Sequence, residues 1–560
     1  MKKTNTEKKV FSPNVMKSFI FQTTLMKFPK VNKVDDPVEI FNPVNLNKSE
    51  GLLHSYRSET RKEAYQLTAQ SNTKDPKTFY SDLLSKVSYE YVTMYQLIDP
   101  TKADKMNKEQ IYELLKQQMN DEKNKHWFPY DASKGERVTY FHTKYFDHFT
   151  IPSLKNQSNT RTNNWRILDL QGKKNTMYVH ASTAFESVLH IFNYIELLER
   201  TCIETFPPDK QSKIAIVGAG PSGLLAARKL VQMRYTDITV YESKPNDSGP
   251  DQLYAGKTQT NMLSQDRLNY RIPAELGTCY LSPAYKDMYD EFNKTHLLGR
   301  DGDKNELISL DQIENGPVVK DIITDGQFDE NGPVKRLLKA YPDVLDLGEY
   351  EGDFPYRMDF EKYQVVKGFE EHYKGKGLSV EKLKRDFPGF LYKVIGLAAI
   401  KYITYHCENY GKYTPFPPTQ RRIKGEIFSN DIYSFLKKKN LLCLFGILQF
   451  GYSLQGYGST AKGDKMSAFY LLMWVTPNVF MNFIHNDVKQ TIKDGLEKIH
   501  IDPVWFKKDV PVVAALSKGW GDVWKNLKKQ FKDETTDDGK RKKVTIKYDT
   551  FITNITRDNV

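Results

Sequence analysis

Three glycines in the segment KIAIVGAGPSGLLAARKL, residues 213–230, have the spacing of a phosphate-binding turn. Gly218, Gly220 and Gly223 form the pattern G-x-G-x-x-G, with Pro221 and Ser222 inside it. In this pattern the first glycine permits a tight turn, the second lets main-chain amides approach a diphosphate, and the third lets a helix pack closely on a strand. The chemistry that suits the arrangement is dinucleotide binding by unpaired N–H groups at a helix N-terminus.

The elements around the glycines are those that such a site needs. KIAIV, residues 213–217, is a short β-branched run, which predicts a strand buried on both faces of a parallel sheet. Apolar residues at helical spacing follow in SGLLAARKLVQM, and DITVYE then predicts a second strand. Its last residue, Glu242, follows Gly223 by nineteen positions, close to the separation at which a carboxylate meets a ribose hydroxyl. Glu242 also disfavours a 2′-phosphate.

Between NAD and FAD the motif does not decide, but a family resemblance does. The stretch IVGAGPSGLLAARKL and the later VYE resemble the amino-terminal signature of the flavin-containing amine oxidoreductase superfamily, which includes monoamine oxidases, L-amino-acid oxidases and related desaturases and isomerases. AELGTCYLSPAY, residues 274–285, is similar to the family's strand that returns past the flavin, and Glu275, Leu276 and Gly277 match it. The resemblance implies FAD, held by a Rossmann-like domain into which a mixed α/β substrate domain is inserted.

Two later stretches extend the resemblance. Residues 450–477 are similar to a glycine and aromatic turn followed by an apolar helix in the family's substrate half. LSKGWGDVWKNLKKQF at 516–531, followed by KVTIKYDTFITNITRD at 543–558, resembles the re-entry into the flavin domain, where a glycine turn opens a helix and a strand pair follows. The resemblance therefore runs from about residue 211 to residue 560 and leaves the first third uncovered.

The chain departs from the family pattern in two places. ESKPNDSGPDQL, after the acid, retains a single Gly249 where the family has an arginine and a Gly-Gly pair that close over the cofactor. The family's closing glycine and acid motif is not found. We expect a second polypeptide to supply that part, because an unfinished sheet edge seeks a partner strand. An unrecognised segment and a loss of catalysis are the two alternatives.

The activity that the resemblance implies is oxidation of an amine or amino acid, with hydride transfer to the flavin and O2 as acceptor. A flavin-dependent desaturase or isomerase acting on a lipid or isoprenoid is one alternative, and a noncatalytic interaction protein that retains the fold is another. No catalytic residue is assigned, because the cofactor carries the difficult chemistry. Substrate contacts are expected between residues 300 and 510. The candidates are Arg421, Arg422, Tyr452, Tyr457 and Trp474.

Composition places limits on other functions. The chain has 560 residues and a formal net charge of +12, but the basic residues are dispersed, so no specific nucleic-acid partner is expected. Its four cysteines are far apart and give neither a zinc pattern nor a disulfide framework. No apolar segment is long enough to span a bilayer, and no secretory signal is evident, so we expect a cytoplasmic protein. The oligomeric state stays open.

The predicted domains are a mainly helical extension at 1–205, the first part of the FAD-binding domain at 206–300, a substrate domain at 301–510, and the return to the FAD-binding domain at 511–560. Within the extension, helical patterns cover 81–98, 108–119 with Asn107 as cap, and 183–204, whereas 152–164 has the composition of a loop. His142 and His148 have no familiar metal-ligand spacing, so no metal site is predicted.

Overall fold

A computed structural model of the chain shows a mixed α/β protein with several sheets. The described residues are 16–31, 39–41, 50–121, 128–158, 170–246, 252–265, 268–281, 283–309, 398–407, 425–439, 441, 444, 448, 466–477, 480, 492, 514–533 and 543–556.

The first third is built on a five-stranded antiparallel sheet with the order β2-β3-β4-β1-β5. Its strands are β1 Met16–Pro29, β2 Glu39–Phe41, β3 Glu50–Ser58, β4 Tyr89–Ile98 and β5 Glu136–Phe149. The central strands are rich in aromatic and β-branched residues, which suit a pleated and buried surface. β4 lies between β1 and β3 and is buried over nine of its ten residues.

The first third also contains the helices α1 Glu59–Gln70, α2 Pro76–Ser85, α3 Pro100–Ala103, α4 Lys108–Asn120, α5 Ile151–Ser158 and α6 Val188–Thr201. Of these, α1, α3 and α4 pack against strands of this sheet. The predicted cap of α4 is confirmed, since the Asn107 side chain accepts from Gln110 N and the Gln110 side chain accepts from Asn107 N. The helix predicted at 183–204 is confirmed as α6. The side chain of Gln96 in β4 donates to the carbonyl oxygen of Ile111, so α4 covers one face of the sheet.

Three predictions for the first third are wrong. The region is not mainly helical, because the five-stranded sheet forms its centre. The pattern at 81–98 is divided between the end of α2 and all of β4. β4 pairs with β1 and β3 on its two sides, and this long-range pairing overrides the local helical period. Residues 151–158, which overlap the predicted loop, form the helix α5.

The glycine motif lies in a parallel sheet with the order β14-β7-β6. β6 Lys213–Val217 leads through α7 Pro221–Gln232 to β7 Asp237–Tyr241, and β14 Val544–Lys547 pairs on the outer side of β7. The predicted sequence of strand, turn, helix and strand is confirmed. β6 is not buried on both faces as predicted, because three of its five residues are exposed. In the described sheet it lies at the edge and pairs with β7 alone.

Two small antiparallel sheets complete the described strands. One has the order β10-β9-β8 and the other β11-β13-β12. Their strands are β8 Gln252–Ala255, β9 Thr258–Gln265, β10 Leu268–Glu275, β11 Tyr280–Leu281, β12 Leu307–Ser309 and β13 Ala514–Leu516. The remaining labelled helices are α8 Lys286–Lys294, α9 Gly425–Ser429, α10 Ile432–Lys438, α11 Ala468–Trp474 and α12 Gly519–Asp533. Residues 398–407 are also helical.

The glycine turn, helix and following strand predicted for residues 516–550 correspond to α12 and β14. Gly519 has φ +74 and opens α12, as a glycine turn should. Val544 is buried and Thr545 exposed in β14, which matches the predicted alternation, but residues 551–556 form no second strand. Most of 301–510 lies outside the described residues. The domain boundaries at 205, 300 and 510 stay predictions, although one continuous apolar core includes residues from the first third and from the parallel sheet.

Candidate functional site

The bend between β6 and α7 has the geometry that its glycines predict. Gly218 has φ +94, a conformation that favours glycine, and its N–H donates to the carbonyl oxygen of Tyr241 at 2.7 Å. A Cβ on Gly223 would lie 1.9 Å from the carbonyl oxygen of Gly218 and 3.3 Å from the Ile216 side chain. Gly223 therefore permits the close packing of helix against strand.

The start of α7 offers main-chain donors. Gly220 is its N-cap, no side chain caps the helix, and Pro221 is at the first helical position. The first N–H groups of a helix lack internal partners, and the helix dipole places partial positive charge there, so this end suits an anion. Within the described ranges, no atom outside the turn lies within 4 Å of the Cβ position of Gly218, so there is space on that side of the bend.

Glu242 stands beside the turn, at the end of β7. Its Oε2 accepts from Ala219 N at 2.7 Å, and its Oε1 accepts from Lys244 N at 2.8 Å. The carboxylate therefore lies within hydrogen-bond reach of the glycine turn. In this structure it holds the turn's main chain and is not part of the cavity lining.

A cavity of about 280 Å³ opens in front of the turn. Seven of the eight residues that the sequence predicted to bind the cofactor line it, all except Glu242. Five of them form what we call the turn wall: Gly218, Gly220, Pro221, Ser222 and Gly223. The other two are Leu276 and Gly277, which follow β10.

The tip of the β8–β9 hairpin closes over the turn wall. Gly256 has φ +56, and a Cβ there would lie 2.9 Å from Gly220 Cα, so the two glycines let two backbones meet. Lys257 lines the cavity, and its Nζ lies 2.9 Å from Glu186 Oε1 and 3.5 Å from Asp147 Oδ2. Burial alone would lower the pKa of Lys257, but the carboxylates of Glu186 and Asp147 raise this pKa above its ordinary value. Sequence reasoning missed this tip, although AGK between two alternating runs is a hairpin signal.

The opposite side of the cavity comes from the antiparallel sheet of the first third. We call it the sheet wall, and its residues are Phe21, Ser55, Arg57, Tyr95, Phe141, Thr143 and Tyr145. Strand register places them on one face, since Phe21 pairs with Thr143 and Ser55 pairs with Tyr95. α4 covers the other face. The first third, to which sequence analysis assigns no function, therefore supplies about half of the residues that line the cavity.

Arg57 is the one guanidinium of the sheet wall, and it is deeply buried. Its Nη2 donates to Glu59 Oε1 at 2.7 Å and to the carbonyl oxygen of Glu275 at 2.6 Å. Its guanidinium carbon lies 5.4 Å from the ring centre of Tyr95 and 5.5 Å from that of Tyr280, another cavity residue. The hydrogen bonds and the two rings hold the cation in place.

Glu275, which matched the family strand, joins β10 to the beginning of α12. Its Oε1 accepts from Trp520 N at 2.6 Å and its Oε2 accepts from Thr260 Oγ1 at 2.9 Å. A Cβ on Gly519 would lie 2.5 Å from Glu275 Oε1, so the glycine makes room for the carboxyl group. Burial raises the pKa of Glu275 to about 7. Its position indicates a structural role beneath the cavity.

The other predicted site residues are distributed widely. Trp474 lines the cavity and stacks on Phe185 with ring centres 5.5 Å apart. Among the described residues of 300–510, Trp474 alone lines the cavity. The remaining substrate candidates, Arg421, Arg422, Tyr452 and Tyr457, lie outside the described residues.

His142 and His148 lie on β5, and their hydrogen-bond partners are the side chain of Gln22 on β1 and the carbonyl oxygen of Phe146. Among the described residues there is no group of three His, Cys, Asp or Glu side chains that could hold a metal ion. Within the same ranges, every helix is too short or too polar to span a bilayer. The chain matches no protein-family model, and no curated protein sequence is significantly similar to it.

Proposed function

We propose that this chain is an FAD-dependent oxidoreductase of the flavin-containing amine oxidoreductase type, with a Rossmann-like FAD-binding domain, and that it oxidises an amine or amino acid. The observation that carries the proposal is the open, uncapped N-terminus of α7, which lines a cavity together with Leu276 and Gly277. The glycine positions fit a diphosphate, because residues without a side chain leave the main chain of the turn accessible from the cavity.

The residues that would hold FAD follow from this arrangement. The N–H groups at the start of α7 would receive the diphosphate, and Glu242, one hydrogen bond from the turn, would receive the adenosine ribose. Leu276 and Gly277 would line the path of the flavin. Gly256 and Lys257 provide a glycine followed by a cation at the hairpin tip beside the turn wall.

When bound, FAD would supply the two-electron chemistry by which a substrate amine loses a hydride from carbon and a proton from nitrogen to give an imine, while O2 takes up two electrons and two protons to give hydrogen peroxide. The chain's own residues bind, orient and exclude water. Aromatic side chains of the sheet wall make a dry surface opposite the turn wall, and Arg57, Glu186 and Lys257 offer fixed charges. Burial raises the pKa of the Cys279 thiol to about 12, so this cavity residue stays protonated and is no nucleophile.

A companion polypeptide is part of the proposal. β6 pairs with β7 in the described sheet and presents its other edge, and Val217 at its end is 59% exposed. Strands of parallel sheets are usually covered on both faces, and exposed edges recruit further strands. A strand from a second chain would complete this edge. The intact mass of the natively purified assembly tests the idea, and a monomer that holds stoichiometric FAD would contradict it.

The central test is an absorption spectrum of the purified full-length chain after incubation with FAD. We expect a flavin band that bleaches with substrate under exclusion of oxygen, with peroxide released when oxygen returns. Ser222→Asp is the informative variant, because a carboxylate in the first turn of α7 favours the helix dipole but repels a diphosphate. It should keep the unfolding temperature and weaken FAD binding by roughly tenfold or more.

Ser222→Ala is the matched control and should bind FAD as the natural chain does. Unchanged FAD affinity in Ser222→Asp would exclude the turn as the diphosphate site. A folded chain that takes up no FAD would favour the noncatalytic alternative, and FAD uptake without peroxide from amines or amino acids would favour a desaturase or isomerase.

A further inference from the structure

The segment that follows β14 is exposed and belongs to no sheet. Residues 551–556, FITNIT, which we call the arm, form neither helix nor strand. Phe551 is 77% exposed and Ile555 is 56% exposed. Among the residues that the structure describes, the main chain of the arm finds no hydrogen-bond partner. The arm therefore offers both apolar side chains and free main-chain groups to a neighbour.

The composition of the arm is that of a strand. Five of its six residues are β-branched or aromatic, and none is charged, glycine or proline. Such segments pair readily with an open sheet edge. Because side chains alternate along a strand, Phe551 and Ile555 would lie on one face of it. The arm is thus suited to become a strand when a sheet edge is provided.

The parallel sheet has the complementary feature at β6. In the described sheet β6 pairs with β7 alone, and two of its three exposed residues, Ala215 and Val217, are apolar. β14 is the other edge of this sheet, but its exposed residues are Thr545 and Lys547. Lysine on an edge strand opposes further pairing. Of the two edges, β6 is therefore the one that suits an added apolar strand.

Geometry separates the arm from the β6 edge of its own copy. Asp549 has φ +51 and turns the chain, and Thr550 N then donates to the carbonyl oxygen of Glu242 at 2.8 Å. This hydrogen bond holds the beginning of the arm at the end of β7. The free edge of β6 faces away from β7, so the arm of the same copy would have to cross the glycine turn to reach it. The arm of a second copy can approach the edge from outside.

We infer that two copies of this chain form a dimer in which the arm of each copy pairs with β6 of the other. Each copy gives one strand and receives one, so the contact closes under a two-fold axis. Each three-stranded parallel sheet gains a fourth strand, and main-chain hydrogen bonds supply much of the affinity. The inference rests on the companion polypeptide of the proposed function and deepens it, because it names the companion as a second copy. Val217 also lines the cavity, so the exchanged arm lies beside the site.

Sedimentation equilibrium of the full-length chain tests the assembly. We expect the natural chain to have twice its mass of 65.0 kDa. Phe551→Asp should weaken the dimer by roughly tenfold or more, because a charge then lies on the apolar face that pairs. Ile203→Asp is the matched control, since Ile203 is 61% exposed but lies in a short helix before β6. It should leave the dimer unchanged.

Three results of this experiment would overturn the inference. They are a monomeric natural chain, a dimer that Phe551→Asp leaves intact, and equal weakening by Phe551→Asp and Ile203→Asp. The last result would mean that any charge on an exposed apolar residue disturbs the assembly.

A cross-linking experiment locates the contact. Thr553→Cys, at the centre of the arm, and Ala215→Cys, at the centre of β6, are prepared as separate full-length proteins, mixed and oxidised mildly. Paired strands bring Cα atoms within disulfide range, so we expect a linked dimer that contains one copy of each variant, identified by its intact mass. The natural chain gives the background from its own cysteines. Thr553→Cys mixed with Thr545→Cys, on the β14 edge, is the control, and stronger linkage there would overturn the inference.

The flavin absorbance of each sample separates this inference from the flavin proposal. A dimer whose arm links to β6 but which takes up no FAD refutes the flavin proposal and leaves the exchange supported. FAD bound to a monomeric natural chain, or a co-purified polypeptide of different mass, refutes the exchange and leaves the flavin proposal supported.

Discussion

The two walls of the cavity are built from different materials. The turn wall is main chain: five consecutive or nearly consecutive residues, mostly glycine, that expose amides at a helix end. The sheet wall is made of side chains from four strands that are up to 124 positions apart, between Phe21 and Tyr145. A binding surface made by one local bend can therefore be predicted from one short sequence segment, whereas a surface assembled by strand pairing cannot.

We expect the largest loss of stability at Gly223, where the turn wall has no room for a Cβ atom. In Gly223→Ala the new Cβ would lie 1.9 Å from the Gly218 carbonyl oxygen, so α7 has to move away from β6. We expect the unfolding free energy to fall by about 3 kcal/mol or more, with loss of FAD binding. Ser222→Ala, one position earlier, should change it by less than about 0.5 kcal/mol. Chemical denaturation of both variants gives the comparison, and a mild effect of Gly223→Ala would mean that the wall is flexible.

A second prediction concerns the charges behind the sheet wall. Glu63 is buried near Lys62 and Glu59, and burial raises its pKa from an ordinary 4.5 to about 7. A carboxyl whose pKa is raised by folding contributes stability below its unfolded pKa, and this contribution is lost as the pH rises through the folded pKa. Glu63→Gln cannot ionise, so it should be more stable than the natural chain at pH 8 by about 3 kcal/mol and similar at pH 4.5.

Unfolding temperatures measured from pH 4.5 to pH 8.5 check this difference. Glu275, whose pKa is also about 7, ionises in both proteins and adds an equal slope to each curve. Parallel curves for the natural chain and Glu63→Gln would show that Glu63 is ionised without penalty.

How far the sequence predicts this molecule follows the same division. The turn, α7, β7 and the cap of α4 depend on neighbouring residues, and each was predicted from its own segment. The local pattern predicts a helix where β4 forms a strand, because β4 pairs with β1 and β3. The residues of β1 that pair with β4 are 60 or more positions away in the sequence. Arg57 carries no local sign of its role, since only strand register brings it to the cavity. Burial of Lys62, Glu59 and Glu63 likewise depends on pairing that no segment contains.

The smallest effect is expected where the two walls meet. Lys257 lies at the tip of the hairpin that closes over the turn wall. Its partner Asp147 lies on β5, which is one of the strands that form the sheet wall. Lys257 is 28% exposed and the distance to Asp147 is 3.5 Å, so water screens the pair. A double-mutant cycle of Lys257→Gln and Asp147→Asn should give a coupling free energy of about 0.5 kcal/mol.

The control cycle combines Lys257→Gln with Asp82→Asn, whose partner is the exposed Lys86 at the C-terminal end of α2, and its coupling should be zero within error. A coupling of several kcal/mol in the first cycle would mean that the walls fold as one unit held by this contact. A small coupling means that each wall keeps its own shape. A ligand that contacts both walls would then link the main-chain donors of the turn wall to the buried charges of the sheet wall.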